Sequence, residues 1–225
     1  MLGLAAAAPV LPGVGGSDGR VTIDASMMPW RALARLQVPG ESRCTAVVLG
    51  PRTVLTAAHC LWGRRLDHFM PAASVHVLTG YAAGNFAHHS ISTGYRLASG
   101  DRTRPAAPAD DFAVVTLADP IVTDALPLAD ADPPVGTPVL LGGYNQDRAE
   151  VIQADTQCRI IGTLPGRLVH DCAGTHGTSG APLLARTADG RYQVVGLQVA
   201  AFTTHAGGIA VAASRLRAAL PDPPE

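Results

Sequence analysis

The sequence predicts an all-β chain: two antiparallel six-stranded β-barrels packed together, with a short C-terminal helix. Three observations carry that expectation. With 24 glycines, 18 prolines and only 4% aromatic residues in 225, short strands joined by turns are favoured over long helices. Apolar and polar residues alternate in short runs bounded by Gly and Pro, the period of a half-buried strand. About six such runs stop at a proline-rich stretch and then restart, which fits paired antiparallel barrels.

Taken in order, residues 1–20 are expected to lie outside the folded part. MLGLAAAAPVLP reads either as the tail of a signal peptide, with a small-residue cleavage region near Ala6–Ala8, or as an alanine-rich terminus. The first barrel is expected over 21–120. Its strands are Trp30 to Val38 (Ala32, Ala34, Leu36 and Val38 alternating), Cys44 to Leu49, Thr53 to Ala58, Ser74 to Gly80 and Asp111 to Leu117. Leu61 to His68 reads as one helical turn. His88-His89 reads as a solvated pair in a loop, and 94–110, rich in Gly, Ser, Arg and Pro, as a surface loop.

Residues 121–137, with Pro127, Pro133 and Pro134, read as a linker. The second barrel is expected over 138–225, with strands at Val139 to Gly142, Asp155 to Ile161, Leu168 to Cys172, Ala181 to Ala185, Tyr192 to Ala200 and Gly208 to Ala212. Ser214 to Leu220 closes the chain as a helix, with Ser214 placed to cap it.

Composition excludes several classes. The net charge is −1, so no nucleic-acid footprint is present. The chain contains no lysine, which rules out Schiff-base or lysine general-base chemistry. No apolar run is long enough to span a membrane. Four cysteines without a CxxC spacing are compatible with two disulfides in an oxidising compartment, and no metal site is expected.

Gly174-Thr175-His176-Gly177-Thr178-Ser179-Gly180-Ala181-Pro182 sets glycines around one serine, so that the backbone turns sharply and consecutive N–H groups point into one space. Taken alone this is a Gly-Ser turn before a strand. A base and an acid elsewhere change its meaning. His59 lies directly before Cys60, at the expected end of a strand, and Cys44 is one strand and a turn away, within reach of a bridge. Asp111 opens an apolar strand. Asp110 is its neighbour and rival, but the strand begins immediately after Asp111. Convergence of His59, Asp111 and Ser179 makes a general base, an orienting acid and a nucleophile.

TAAHC (56–60), DFAVV (111–115) and GTSGAP (177–182) together resemble the three motifs of the chymotrypsin-like serine peptidases. HDCAGTHGTSGAP, Met28-Pro29-Trp30 and Val194-Val195-Gly196 resemble the bacterial secreted branch related to glutamyl endopeptidase. The resemblance runs over roughly residues 20 to 213. It implies a triad of His59, Asp111 and Ser179, an oxyanion hole of the Gly177 and Ser179 N–H groups, and disulfides Cys44–Cys60 and Cys158–Cys172. It also implies a secreted or periplasmic serine endopeptidase acting on a protein or peptide, without metal or cofactor, as a monomer. The alternative is a catalytically silent binding module on the same barrels.

Two departures stand out. Thr178 occupies the position of an aspartate that, in many animal members, pairs with a freed N-terminal amine. Val199 replaces a serine that often bonds the catalytic carboxylate. The specificity pocket is expected between Ala173, Gly174 and His176 on one wall and Gln198, Val199, Ala200 and Ala201 on the other. Ala173 brings no carboxylate, which argues against an Arg or Lys preference, and Gln198 stands where glutamyl endopeptidases carry a histidine, which argues against strict Glu preference. Small or neutral side chains are expected there because Ala201 replaces a residue that is often glycine at the pocket wall, with His176 and His205 as the candidates for recognising an acidic group.

Overall fold

The computed structural model describes residues 11–220; the leader expected around Ala6–Ala8 lies outside them. Strand β1 (Val21–Ile23) comes first. It is followed by β2 (Leu33–Val38), β3 (Ser42–Gly50), β4 (Thr53–Thr56), the two-residue strands β5 (Trp62–Gly63) and β6 (His68–Phe69), and then β7 (His76–Thr79), β8 (His88–Leu97) and β9 (Ala113–Leu117). The order β2-β3-β4-β9-β8-β7 closes into an antiparallel barrel. The second half supplies β10 (Pro138–Gly143), β11 (Ile152–Leu164), β12 (Arg167–His170), β13 (Pro182–Arg186), β14 (Tyr192–Ala201) and β15 (Gly208–Ala212), then helix α1 (Ala213–Ala219). These six strands run β11-β10-β13-β14-β15-β12, and pairing of β11 with β12 closes the ring. The expected all-β fold of two six-stranded barrels and one short helix is the fold observed.

Alternation sets the core. Leu33, Leu36, Val47, Leu55, Phe112 and Leu117 are buried inside or against the first barrel, and Val139, Leu141, Ile160, Leu168 and Leu183 in the second. Phe112, 1% exposed, anchors the chain beside Asp111. Truncating such a side chain to alanine costs about 3–5 kcal/mol.

Several local expectations are corrected. The strand expected from Trp30 begins at Leu33 as β2, because Trp30–Ala32 forms a 3-10 turn that lays the Trp30 ring against Gly142 of the other barrel. Residues 61–68 form no helix: the expected turn is present only at 63–67, where the Asp67 N–H donates to the Gly63 carbonyl at 2.7 Å, and it closes a two-stranded ribbon. Trp62 packs edge-to-face on Phe69 across a tight ribbon, and Asp67 takes a left-handed conformation at the turn. His88–Leu97 is a strand rather than a loop. Its inward positions carry Ser90 and Ser92 in place of apolar residues, so the alternation is invisible to hydrophobicity. Burial is possible because the Ser90 hydroxyl accepts the Asp119 N–H and the Ser92 hydroxyl donates to the Gly94 carbonyl.

Residues 11–20 are not outside the fold. Val14 and Arg20 are buried, and the Gly13 N–H donates to the Phe202 carbonyl. Val21–Ile23, expected with the first barrel, pairs with β11 of the second. Helix α1 starts at Ala213 without a side-chain cap of its own. The Ser214 N–H and hydroxyl instead donate to Asp132, at 2.9 and 2.7 Å. The 121–137 stretch carries no named strand and follows both barrels, with the Leu126 N–H donating to Val48 and the Ala129 N–H to Val194.

Candidate active site

The register of the first barrel brings two side chains together. Thr56 at the end of β4 pairs with Ala113 at the start of β9, so residues just beyond these ends share one rim. His59 lies in a 3-10 turn, Ala58–Leu61, not at the strand end itself, and Asp111 lies just before Phe112. The Asp111 carboxylate accepts twice: Oδ1 from the His59 backbone N–H at 2.8 Å, and Oδ2 from the ring Nδ1–H at 2.6 Å. That fixes both the ring's orientation and its tautomer, leaving Nε2 as the free base. Asp110 faces away and bonds the Arg215 Nε at 3.0 Å.

The second barrel delivers Ser179. The loop from Ala173 to Ala181 belongs to no strand, and its shape is set by close approach. Gly177 (φ +93°) and Gly180 (φ +81°) both adopt left-handed backbone. A Cβ on Gly177 would sit 2.2 Å from the Tyr144 carbonyl oxygen, and one on Gly180 2.2 Å from that of Thr45. Within the loop, the Thr178 N–H donates to Thr175, the Gly180 N–H to Gln198 and the Ala181 N–H to Thr178. The N–H groups of Gly177 and Ser179 have no acceptor among the described residues. Two unclaimed donors, two residues apart beside a serine, are what an oxyanion requires.

Ser179 and His59 line the same groove, of about 760 Å³, which continues over Gln37, Glu41, Arg43, Trp62 and Arg64 of the first barrel. Among the described residues the Ser179 hydroxyl is not hydrogen-bonded to the His59 ring. Of the seven residues expected to form the specificity pocket, His176 lines this groove. Ala173, Gln198 and Val199 are buried, Ala201 is half-buried, Ala200 is exposed, and the Gly174 N–H donates to Gly13. Gln198 is committed to a buried chain. The Cys172 N–H donates to His170 Nδ1, His170 Nε2–H to Gln198 Oε1 at 2.6 Å, and the Gln198 amide to the Ala200 carbonyl at 2.9 Å. Burial pushes the His170 pKa down to about 4, against the opposing effect of the Gln198 hydrogen bond. His205 lies exposed against Phe202.

Thr45 was not singled out by sequence, although it ties the barrels together. Its N–H donates to the Ser179 carbonyl, its hydroxyl donates to the Gly177 carbonyl at 2.9 Å and accepts the Tyr144 N–H at 3.0 Å. A threonine in an apolar strand gives no signal of such a role. Disulfides join Cys44 to Cys60 and Cys158 to Cys172. Among the described residues, two clusters of potential metal ligands, Cys44–His59–Cys60 and Cys158–Asp171–Cys172, each contain one of these disulfides, whose sulfurs are not thiolates.

The sequence profile of the trypsin-like peptidase domain matches residues 44–197. No curated protein matches the sequence. Among solved structures, a Glu endopeptidase in complex with MPD superimposes with a TM-score of 0.77 at 21% identity, over 91% of this chain and 96% of its own. The VesB protease of Vibrio cholerae does so with a TM-score of 0.69 at 20% identity, over 88% of this chain and 65% of its own. At these identities the likeness is one of fold.

Proposed function

The chain belongs to the trypsin-like peptidase family, and from that premise we propose that it is a secreted or periplasmic serine endopeptidase. One observation carries the reading: the doubly bonded His59–Asp111 pair opens onto the same groove as Ser179, beside two unclaimed N–H groups. The Ser179 hydroxyl attacks the scissile carbonyl while His59 Nε2 takes its proton. The oxyanion is held by the N–H groups of Gly177 and Ser179. Collapse expels the amine, which takes the proton from His59 and leaves an acyl-enzyme on Ser179. Water, deprotonated by the same histidine, then attacks the acyl carbonyl, and the acid leaves as the Ser179 oxygen takes the proton back from His59. Asp111 holds the ring and stabilises the imidazolium throughout. No metal or cofactor enters these steps.

The two disulfides fit an oxidising compartment. Ala173 carries no charge and the Gln198 amide is already committed, so neither offers a partner for a charged side chain before the cleaved bond. The silent-module alternative draws on the missing Ser179–His59 hydrogen bond, but such bonds are often long until substrate binds. Incubation with a diverse peptide library decides between them. Cleavage within peptides, abolished by Ser179→Ala, is expected; binding without any cleavage supports the module.

A further inference from the structure

With Thr178 in place of an acid, the loop that carries the oxyanion donors contains no carboxylate to anchor it. Its anchor lies elsewhere. The N–H of Thr175 donates to Asn145 Oδ1 at 2.9 Å, and the same oxygen accepts from Arg20 Nη1 at 2.8 Å. The Arg20 side chain is wholly enclosed, and all five of its N–H donors are used. Nε and Nη2 bond the two oxygens of Asp18 at 2.8 and 3.0 Å; Nη1 and Nη2 bond those of Asp147 at 3.0 and 2.8 Å; Asn145 takes the fifth. Arg148, 3.0 Å from Asp18, brings the cluster of two cations and two anions to neutrality.

The fully enclosed Asn145 is held from its other end as well, its amide donating to the Gly143 carbonyl at 3.2 Å. Its neighbour adds a second rung, with the Gln146 N–H donating to the His176 carbonyl at 2.6 Å. The same N-terminal segment reaches the loop once more, where the Gly13 carbonyl accepts the Gly174 N–H at 3.0 Å. Consecutive N–H groups at 174 and 175 are thus fixed by residues more than a hundred positions upstream or by a side chain that Arg20 holds. A guanidinium with five satisfied donors is rigid in a way that a single ion pair is not.

We propose that Arg20 and Asn145 are positioning residues: through the Thr175 N–H they hold the 173–180 loop in the form that aims the Gly177 and Ser179 N–H groups at the oxyanion. This inference rests on the peptidase reading above, since it gives the brace a catalytic consequence. Neither residue touches substrate. Their effect falls on the transition state, where the carbonyl oxygen becomes charged, and not on ground-state binding.

The test compares Asn145→Leu, Asn145→Asp and Arg20→Met with the wild-type chain in two measurements. The first is hydrogen exchange of the 173–180 backbone, which needs no activity. The second is kcat and KM on a peptide substrate, per active site titrated. Asn145→Leu is expected to speed exchange in 173–180 while β13 and β14 stay protected. It should lower kcat about 10- to 100-fold with KM within about two-fold, the scale of loss for a small misplacement of catalytic groups. Asn145→Asp keeps the acceptor and is expected to restore both readouts to within about three-fold. Arg20→Met should behave like Asn145→Leu; if it does not fold, the two Asn145 variants decide. Active wild type with Asn145→Leu unchanged in either readout overturns the brace and leaves the peptidase standing. Wild type that hydrolyses nothing overturns the peptidase reading and the catalytic role of the brace with it.

Discussion

His59 and Asp111 lie just beyond strand ends that are side by side in one barrel, Thr56 opposite Ala113. The Ser179 loop belongs to no strand and is tied to Thr45 of the other barrel, to Asn145, to Gln198 and to Gly13. The first half is short-range in space and secured by the Cys44–Cys60 disulfide and by Phe112 in the core. The second is anchored at its start by the Cys158–Cys172 disulfide and beyond that by single hydrogen bonds and close backbone contacts from several directions. The difference predicts that the His59–Asp111 pair tolerates change around it better than the Ser179 loop, which draws contacts from the other barrel, from Asn145 and Gln198 and from the segment before β1.

The comparison breaks most visibly at Asp111. Asp111→Asn leaves packing intact but favours the wrong tautomer of His59, and kcat is expected to fall about 10⁴-fold with little change in melting temperature. A loss below ten-fold would remove Asp111 from the mechanism. Gly180→Ala should give the contrasting pattern, in which stability and activity fall together. Its Cβ would meet the Thr45 carbonyl at 2.2 Å on a left-handed backbone, and a cost of about 3 kcal/mol is expected in the denaturant midpoint.

His170 sharpens the comparison through pH. Its folded-state pKa of about 4 lies below the ordinary 6.5, so between these values the unfolded chain binds a proton that the folded chain does not. Stability from this group is therefore complete above about pH 6.5 and is lost as pH falls toward 4, up to about 3 kcal/mol. Asp155 and Asp171 act in the opposite direction but do not reverse the shift. Urea titrations from pH 7 to pH 4 should show that loss, and His170→Gln should flatten it. An identical slope in the variant would refute the assignment. The smallest effect is expected at Asp110, whose partner Arg215 is partly exposed. Asp110→Asn should change stability by less than about 1 kcal/mol and leave kcat within about two-fold, separating it from its neighbour.

The barrels were legible because most strands alternate cleanly and Gly or Pro marks their ends. Strand β8 was not, since its buried face carries Ser90 and Ser92, whose hydroxyls are satisfied only by tertiary partners. The candidate triad residues were legible because each sits in a short motif. The residues that hold the Ser179 loop were not. Arg20 lies in a glycine-rich stretch that reads as a loose terminus, and Thr45 and Asn145 act through backbone partners about a hundred or more positions and about thirty positions away, respectively. No local pattern encodes a contact of that range. Gln198 was legible as a pocket residue, but its commitment to His170 became visible only when β12 and β14 were placed around β15.

The central claim, an activated nucleophile at Ser179, is tested most directly by a fluorophosphonate probe on the folded chain, with the modified peptide identified by mass spectrometry. One label per molecule, on Ser179, lost in His59→Ala as well as in Ser179→Ala, is the predicted result. Folded protein that takes up no label, or that labels equally well without His59, contradicts it.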